Sequence, residues 1–459
     1  MSTRSNLRDW RLLVAFAAAS ALLAAAAAEA AEAADATEPL RLSTAVTQAL
    51  ASHPTLAVSR ARLADAQEAI GEARAAHGPV ARLLLSGTEY RGVMPVTPIH
   101  GFGPGQIPAF DDTLVGATLN LSYTLFDSGA RRERLRQATA QLDAGSAALS
   151  TAAQTLAARI ATAWTGAISR QETLAAQRTR VGAVRAELAR VETLLAAGRA
   201  PEVERLRAEA ALASAEAEEA RLATALDSAE RDLARLLGLP PEATRVAALA
   251  PLRTPDAPTS ARETLQSQAV AASPAVAQAR AALAAAEAAR ALARTAYFPD
   301  LRATGAVQEL AGADLAFSNE WNVGLALSVP LWDGGATDRR VARAGTAIDE
   351  ARARLAQAEL DVREAVDRAL AGYADADARS AALGRAEARL VEVARIQKLL
   401  LEVGSGTQVD YLAAEAELAG TRAALAEAAS AARVARVELA RATGEISPAW
   451  LAENLESPQ

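Results

Sequence analysis

Few groups in this chain stand at spacings that could carry covalent chemistry. Its three histidines, His53, His77 and His100, lie far apart, whereas metal-ligand sets cluster more tightly. They read as loop or helix-end residues. Cysteine is absent, which excludes disulfides, thiolate metal sites, a Cys nucleophile and lipid attachment through Cys. No Ser/His/Asp spacing occurs, and Gly101-Phe102-Gly103-Pro104-Gly105 sits in a Pro-rich loop without the strand–helix context of a phosphate loop. The reading is no enzyme, no metal and no cofactor. The residues that do recur with chemical meaning are two aspartates, Asp127 and Asp333. Each follows an aromatic residue (Phe126 or Trp332) and shortly precedes a glycine (Gly129 or Gly335). An aspartate so placed caps the first N–H groups of a helix, and glycine takes turn geometry that other residues resist.

These junctions need a strand before them and a helix after. The run Thr113–Leu125 alternates: Val115, Ala117, Leu119, Leu121, Tyr123 and Leu125 share one face, and Gly116, Thr118, Asn120, Ser122 and Thr124 the other. The run 320–331 does the same, with Trp321, Val323, Leu325, Leu327, Val329 and Leu331 opposite Glu320, Asn322, Gly324, Ser328 and Pro330. Period two marks strands with unlike faces. After each junction comes a long Pro-free stretch, 129–197 and 335–403, rich in Ala, Leu, Glu and Arg. At ~1.5 Å per residue each would be a helix of roughly 100 Å. Val181, Val184, Leu188, Val191 and Leu195 add heptad spacing, a coiled-coil seam. Turns at Gly198 and Gly404 lead into return helices, 202–237 and 409–443.

The whole programme occurs twice. Pro54 and Pro79 correspond to Pro274 and Pro299 at an offset of 220, and Phe126, Gly198, Leu206 and Gly238 to Trp332, Gly404, Leu412 and Gly444 at 206. The 14-residue difference falls between the two strands of each half, which assigns it to the loop that joins them. Preceding strands are expected at 81–90 and 301–310. The resulting division is a signal peptide at 1–36, a first repeat at 37–239, a connector at 240–262, a second repeat at 263–446 and a C-terminal tail at 447–459. The signal peptide rests on Arg4, Arg8 and Arg11 before an apolar run, Leu12 to Ala28, and on Ala-x-Ala sites near residues 30–36. An uncleaved anchor is the weaker alternative, because the run is short and fades into small residues. A net charge of −7 offers no basic footprint for nucleic acid.

Alternation alone favours a soluble antiparallel sheet with one buried side, the commoner structure. Export, strand length, flanking aromatics and the lack of any second sheet to cover the apolar face shift the reading toward a membrane-spanning sheet facing lipid. A spanning sheet must close, four strands cannot, and the chain must therefore pool strands with copies of itself. The rival reading is a soluble periplasmic coiled-coil scaffold or adaptor.

With these features in register, the chain resembles the TolC-like outer-membrane efflux proteins (outer membrane factors) from about Leu40 to Ile446. The resemblance is carried by the doubled helix–strand–strand–long helix–turn–helix plan, by Leu125-Phe126-Asp127-Ser128-Gly129 and Leu331-Trp332-Asp333-Gly334-Gly335, and by the tip 404–415 with its weaker copy 198–209. It implies a mainly α fold with a membrane β-barrel part: a homotrimer whose four strands per chain make one 12-stranded barrel, above a coiled-coil α-barrel. It implies a passive duct of a tripartite efflux or type I secretion system, served by a periplasmic adaptor (membrane fusion) protein and an inner-membrane efflux pump or ABC exporter. The tip turns Gly198, Pro201, Gly404, Gly406 and Thr407 would then meet the adaptor. Asp410, with Glu204 at the matching site, would line a periplasmic gate, where like charges repel and attract cations. An acid at a helix start is equally explained by the helix dipole. The Arg and Tyr latch of some relatives has no counterpart beside Gly404.

Overall fold

The computed structural model describes residues 39–96, 109–239 and 249–457. The expected signal peptide, the Gly101–Gly105 run, His100 and much of the connector lie outside the described residues. In chain order the elements are α1 (Leu42–Ser52), α2 (Pro54–Ala75), β1 (Val80–Pro95), β2 (Phe110–Phe126), α3 (Ala130–Ala196) and α4 (Glu202–Leu236). Then follow α5 (Arg262–Ala272), α6 (Pro274–Thr295), β3 (Asp300–Ala311), β4 (Ser318–Ser328), α7 (Ala336–Glu402), α8 (Gln408–Ala442) and α9 (Pro448–Leu455). The repeat is visible in the lengths. The helices match pairwise at 11, 22, 67 and 35 residues. No single described helix is long and apolar enough to cross a membrane.

Contacts divide the described residues into two units. One takes in residues 55–152 and 267–364 and holds the sheet. Its four strands are antiparallel in the order β1-β2-β3-β4. Register puts Leu83, Leu119, Val307 and Trp321 in one cross-strand row, and Ala81, Leu121, Gly305 and Val323 in the next. The intervening row is Arg82, Asn120, Ala306 and Asn322. Opposed residues share a face, so all four strands assemble one apolar and one polar side. Near the hairpin tips the apolar side is interrupted by Glu309, which accepts a hydrogen bond from the Asn319 amide at 2.8 Å, before the Val115–Ala311 row. Asp111 ties the hairpins together. Its carboxylate accepts from the N–H of Thr113 (3.1 Å) and from that of Ala313 in the β3–β4 loop (2.7 Å).

Three expectations need correction here. The extra residues of the first hairpin do not all go into its loop, because β1 continues to Pro95 and β2 begins at Phe110, paired across a bulge between Glu89 and Met94. Pro95 is tolerated at the end of this edge strand because the next rung is made by the Val96 N–H, which donates to the Ala109 carbonyl at 2.9 Å. Second, β4 ends at Ser328, short of residue 331, because Pro330 lacks an N–H and cannot extend the ladder. Its counterpart in the first repeat is Thr124, where β2 absorbs a register shift and still reaches Phe126. The third correction concerns the tail. It contains α9, started by the Ser447 hydroxyl accepting from the Trp450 N–H at 3.1 Å, with Pro448 in the first turn.

The second unit takes in residues 39–54, 153–266 and 365–457. Here α9 packs on α1, with Leu42, Leu451 and Leu455 fully buried. The connector joins them through bridges between Leu40 and Leu249 and between Leu252 and Glu456. The fully buried Trp164 of α3 donates its indole N–H to the Ala250 carbonyl at 3.4 Å. Along the α3 seam Val181, Val184 and Val191 are buried. Leu188 is only half-buried, and Glu187 takes the buried place beside it. Between α3 and α4 run Arg178–Glu219 (3.1 Å) and Arg185–Glu216 (2.7 Å) ion pairs, and between α7 and α8 an Arg422–Glu387 pair (2.9 Å). Ala394, Ala414, Leu418 and Leu390 pack beside that last pair, small side chains allowing close helix approach.

Candidate functional site

Two sets of residues were singled out by the sequence, and each belongs to one unit. At the first junction the Asp127 carboxylate accepts from the N–H of Gly129 (3.2 Å) and of Arg131 (2.9 Å), and pairs with the Arg131 guanidinium at 3.0 Å. Burial raises the Asp127 carboxyl, but these hydrogen bonds and the Arg131 charge outweigh it and hold the group below its ordinary value. Asp333 repeats the geometry, accepting from the N–H of Gly335 (3.0 Å) and of Thr337 (2.8 Å) and from the Thr337 hydroxyl (2.6 Å). That hydroxyl and the backbone donors lower its pKa. The two residues after each aspartate have left-handed backbone, Ser128 and Gly129 in the first copy, Gly334 and Gly335 in the second. Ser128 is strained there, and its hydroxyl is fixed by donation to the Pro299 carbonyl at 3.0 Å.

The aromatic partners diverge. Phe126 ends β2 and is 55% exposed, paired with Leu301. Trp332 lies four residues past the end of β4 and is 89% exposed. Between junction and hairpin tips the apolar side of the sheet stands uncovered: Leu119, Leu121, Tyr123 and Leu125 on β2, and Trp321, Val323, Leu325 and Leu327 on β4. Among the described residues of this unit these side chains have no covering layer.

At the tips, α3 and α7 both end in the same six-to-one turn. Gly198 donates to the Leu195 carbonyl (2.9 Å) and Arg199 to that of Leu194 (2.8 Å). Gly404 and Ser405 do likewise to Leu401 (3.2 Å) and Leu400 (2.9 Å). Both glycines have φ near +70 to +80°, the left-handed geometry this cap requires. A Cβ on Gly406 would come within 2.9 Å of the Leu400 Cβ, so that position admits no side chain without movement. The helices that follow start differently. Thr407 caps α8, its hydroxyl accepting from the Asp410 N–H (3.2 Å) and donating to the Asp410 carboxylate (2.6 Å). Pro201, at the same place before α4, has no side-chain acceptor, and the Glu204 N–H bonds to the Pro201 carbonyl instead (3.0 Å). In the single chain, then, Asp410 is a helix-start acid engaged with its own cap.

Behind the tips lies a group of residues not singled out from sequence. Tyr411 is buried, and burial followed by the charges of Glu415 and Glu187 pushes its hydroxyl up to about 12. Burial likewise raises the Glu415 carboxyl, against the charges of Arg422 and Lys398. Glu187 makes a bidentate pair with Arg190, both contacts at 2.7 Å, and the charges of Glu204 and Glu402 add to the field holding that guanidinium protonated. The signal available in sequence was the Glu187/Arg190 spacing of three, a helical pair. It does not distinguish a buried pair from the many exposed ones on these helices.

Comparisons with known proteins agree with this architecture. The family model described as outer membrane efflux protein matches residues 45–239 and 265–445. Among curated proteins the chain is similar to protein CyaE of Bordetella pertussis, 29% identical over 356 residues, covering 74% of this chain and 69% of that protein. Among solved structures, the outer membrane protein VceC of Vibrio cholerae matches with a TM-score of 0.73 at 22% identity, over 88% of this chain and 96% of that one. The outer-membrane channel OprN matches with 0.74 at 23%, over 88% and 90%. The CmeC outer membrane channel of Campylobacter jejuni gives 0.73 at 18%, over 89% and 86%. At these identities the likeness is one of fold.

Proposed function

Because the chain belongs to the outer membrane efflux protein family, we propose that it is the passive outer-membrane duct of a tripartite efflux or type I secretion assembly. Family membership makes it a transport protein and not an enzyme. One observation carries the finer reading: a four-stranded sheet with a bare apolar side, a polar opposite side, and two open edges at β1 and β4. On β2 the apolar positions from Val115 to Leu125 span roughly 35 Å of strand. A tilt of about 45° reduces that to roughly 25 Å, the height of a barrel's lipid-facing band. Open edges are intolerable in lipid, so β1 of one chain pairs with β4 of the next until the ring closes. Three chains give 12 strands, with the polar side around the lumen.

In this reading the helices lie on the periplasmic side. The tip turns at Gly198–Pro201 and Gly404–Thr407 meet the hairpins of a periplasmic adaptor, which connects the duct to an inner-membrane pump or ABC exporter. Threefold symmetry gathers Asp410 carboxylates around the axis, with Glu204 near them, as a cation-attracting constriction. Extraction in mild detergent followed by mass measurement is expected to give three chains per particle. A water-soluble single chain would rule the reading out.

A further inference from the structure

The junction contains a second feature with a chemistry of its own. Within the sheet-bearing unit a cleft of about 440 Å³ opens between α6, the first turn of α3 and the fourth and fifth turns of α7. Arg132, Arg290, Arg294 and Arg352 line it against only two carboxylates, Glu133 and Glu287. Glu133 is buried and already engaged at 3.1 Å by both Arg132 and Arg136. Glu287, Arg290 and Arg294 follow one another at spacings of three and four, which sets them along one face of α6. Among the described residues neither Arg290 nor Arg294 has an ion-pair partner, and both are exposed. Arg132 is paired with Glu133 and Arg352 with Asp349 at 3.7 Å, so in a chain of net charge −7 it is Arg290 and Arg294 that leave unpaired guanidinium charge in one concave place.

Position narrows what this charge is for. Ser128, two residues after β2, and Phe298, two residues before β3, also line the cleft. In the last row of the apolar side, Phe126, Leu301 and Leu327, Phe126 stands two residues from Ser128 and Leu301 three from Phe298 in sequence. The exposed Phe298 ring supplies an apolar contact next to the arginines. Guanidinium groups at the edge of an apolar band, with an aromatic beside them, match the phosphate and glycerol depth of a bilayer. Resting on the reading of the sheet as membrane-spanning, we propose that this cleft binds the phosphate headgroup of an anionic phospholipid in the leaflet on the helix side. A phosphodiester accepts bidentate hydrogen bonds from Arg290 and Arg294, while Phe298 covers the start of its acyl chains.

The test uses the full chain in neutral detergent, titrated with phosphatidylglycerol, with phosphatidylcholine of the same acyl chains, or with inorganic phosphate. Native mass spectrometry counts retained lipid, and thermal unfolding reports stabilisation. Phosphatidylglycerol is expected to stay bound and raise the unfolding temperature, while the other two do neither. The pair R290Q/R294Q should weaken retention roughly 25-fold and the single Arg352→Gln about fivefold, at about 1 kcal/mol for each charge. Unchanged retention in both variants overturns the site, and so does an equal shift from inorganic phosphate, which would make it a soluble-anion site. Flotation with vesicles separates the two claims. A wild-type chain that floats and conducts yet retains no phosphatidylglycerol defeats the lipid site alone, and one that never floats defeats the membrane reading beneath it.

Discussion

Asp127 and Asp333 each satisfy N–H groups that a helix start leaves without intrahelical partners, and this fixes where strand becomes helix. Replacing Asp127 by Ala is expected to cost about 1 kcal/mol, read from the denaturant midpoint. The linkage has a definite sign. The folded pKa of Asp127 is lowered below 3.8, so its contribution is fully present above that value and is lost as pH falls through the folded pKa. Asp127→Asn should therefore flatten the acid limb of the stability curve; an unchanged limb would show that the pairing with Arg131 contributes nothing. At the tip, Asp410→Ala is expected to change single-channel conductance and its block by divalent cations, while Thr407→Ala should destabilise the start of α8 with the charge intact. Equal conductance in wild type and Asp410→Ala would leave Asp410 as a cap alone.

Strands β1 to β4 owe their common register to the rule that a slip of one residue exchanges the two faces. That exchange gives a sharp contrast between neighbours. Val323 lies on the apolar side, and Val323→Arg should cost about 2–4 kcal/mol on folding into vesicles. Asn322→Arg, one residue away on the polar side, should insert normally and shift ion selectivity. If both variants insert equally, the apolar side does not face lipid. The early end of β4 shows a local override of pattern. The alternation of Val329 and Leu331 with Pro330 reads as strand, yet the missing N–H of Pro330 stops the ladder two residues before it. Long helices were legible because α3 and α7 contain no proline and few interruptions. Glu187 was not, since a heptad pattern assigns the seam to Leu188 and says nothing of a carboxylate turned inward to meet Arg190.

At the scale of the whole molecule the exposed edges of β1 and β4 demand partners. The absence of native cysteine makes this simple to examine: a cysteine scanned along β1 against one replacing Asn322 should give covalent dimers and closed trimers under oxidation. Monomer at every position would exclude edge pairing. From residue order alone one reads the duplication, the helix lengths, the two-faced strands and the glycine turns, because each follows from local periodicity and from residues with restricted or permissive backbones. The Leu125–Gly129 and Gly404–Glu415 motifs in register were enough to indicate the family. What residue order does not contain is anything set by contacts between distant segments. Only the tertiary structure brings Glu133, Arg290 and Arg352 to one cleft, folds the tail as α9 against α1, and buries Tyr411 near Glu187. Burial and neighbouring charge are properties of the packed chain, and a residue's type does not reveal which solvent it will meet.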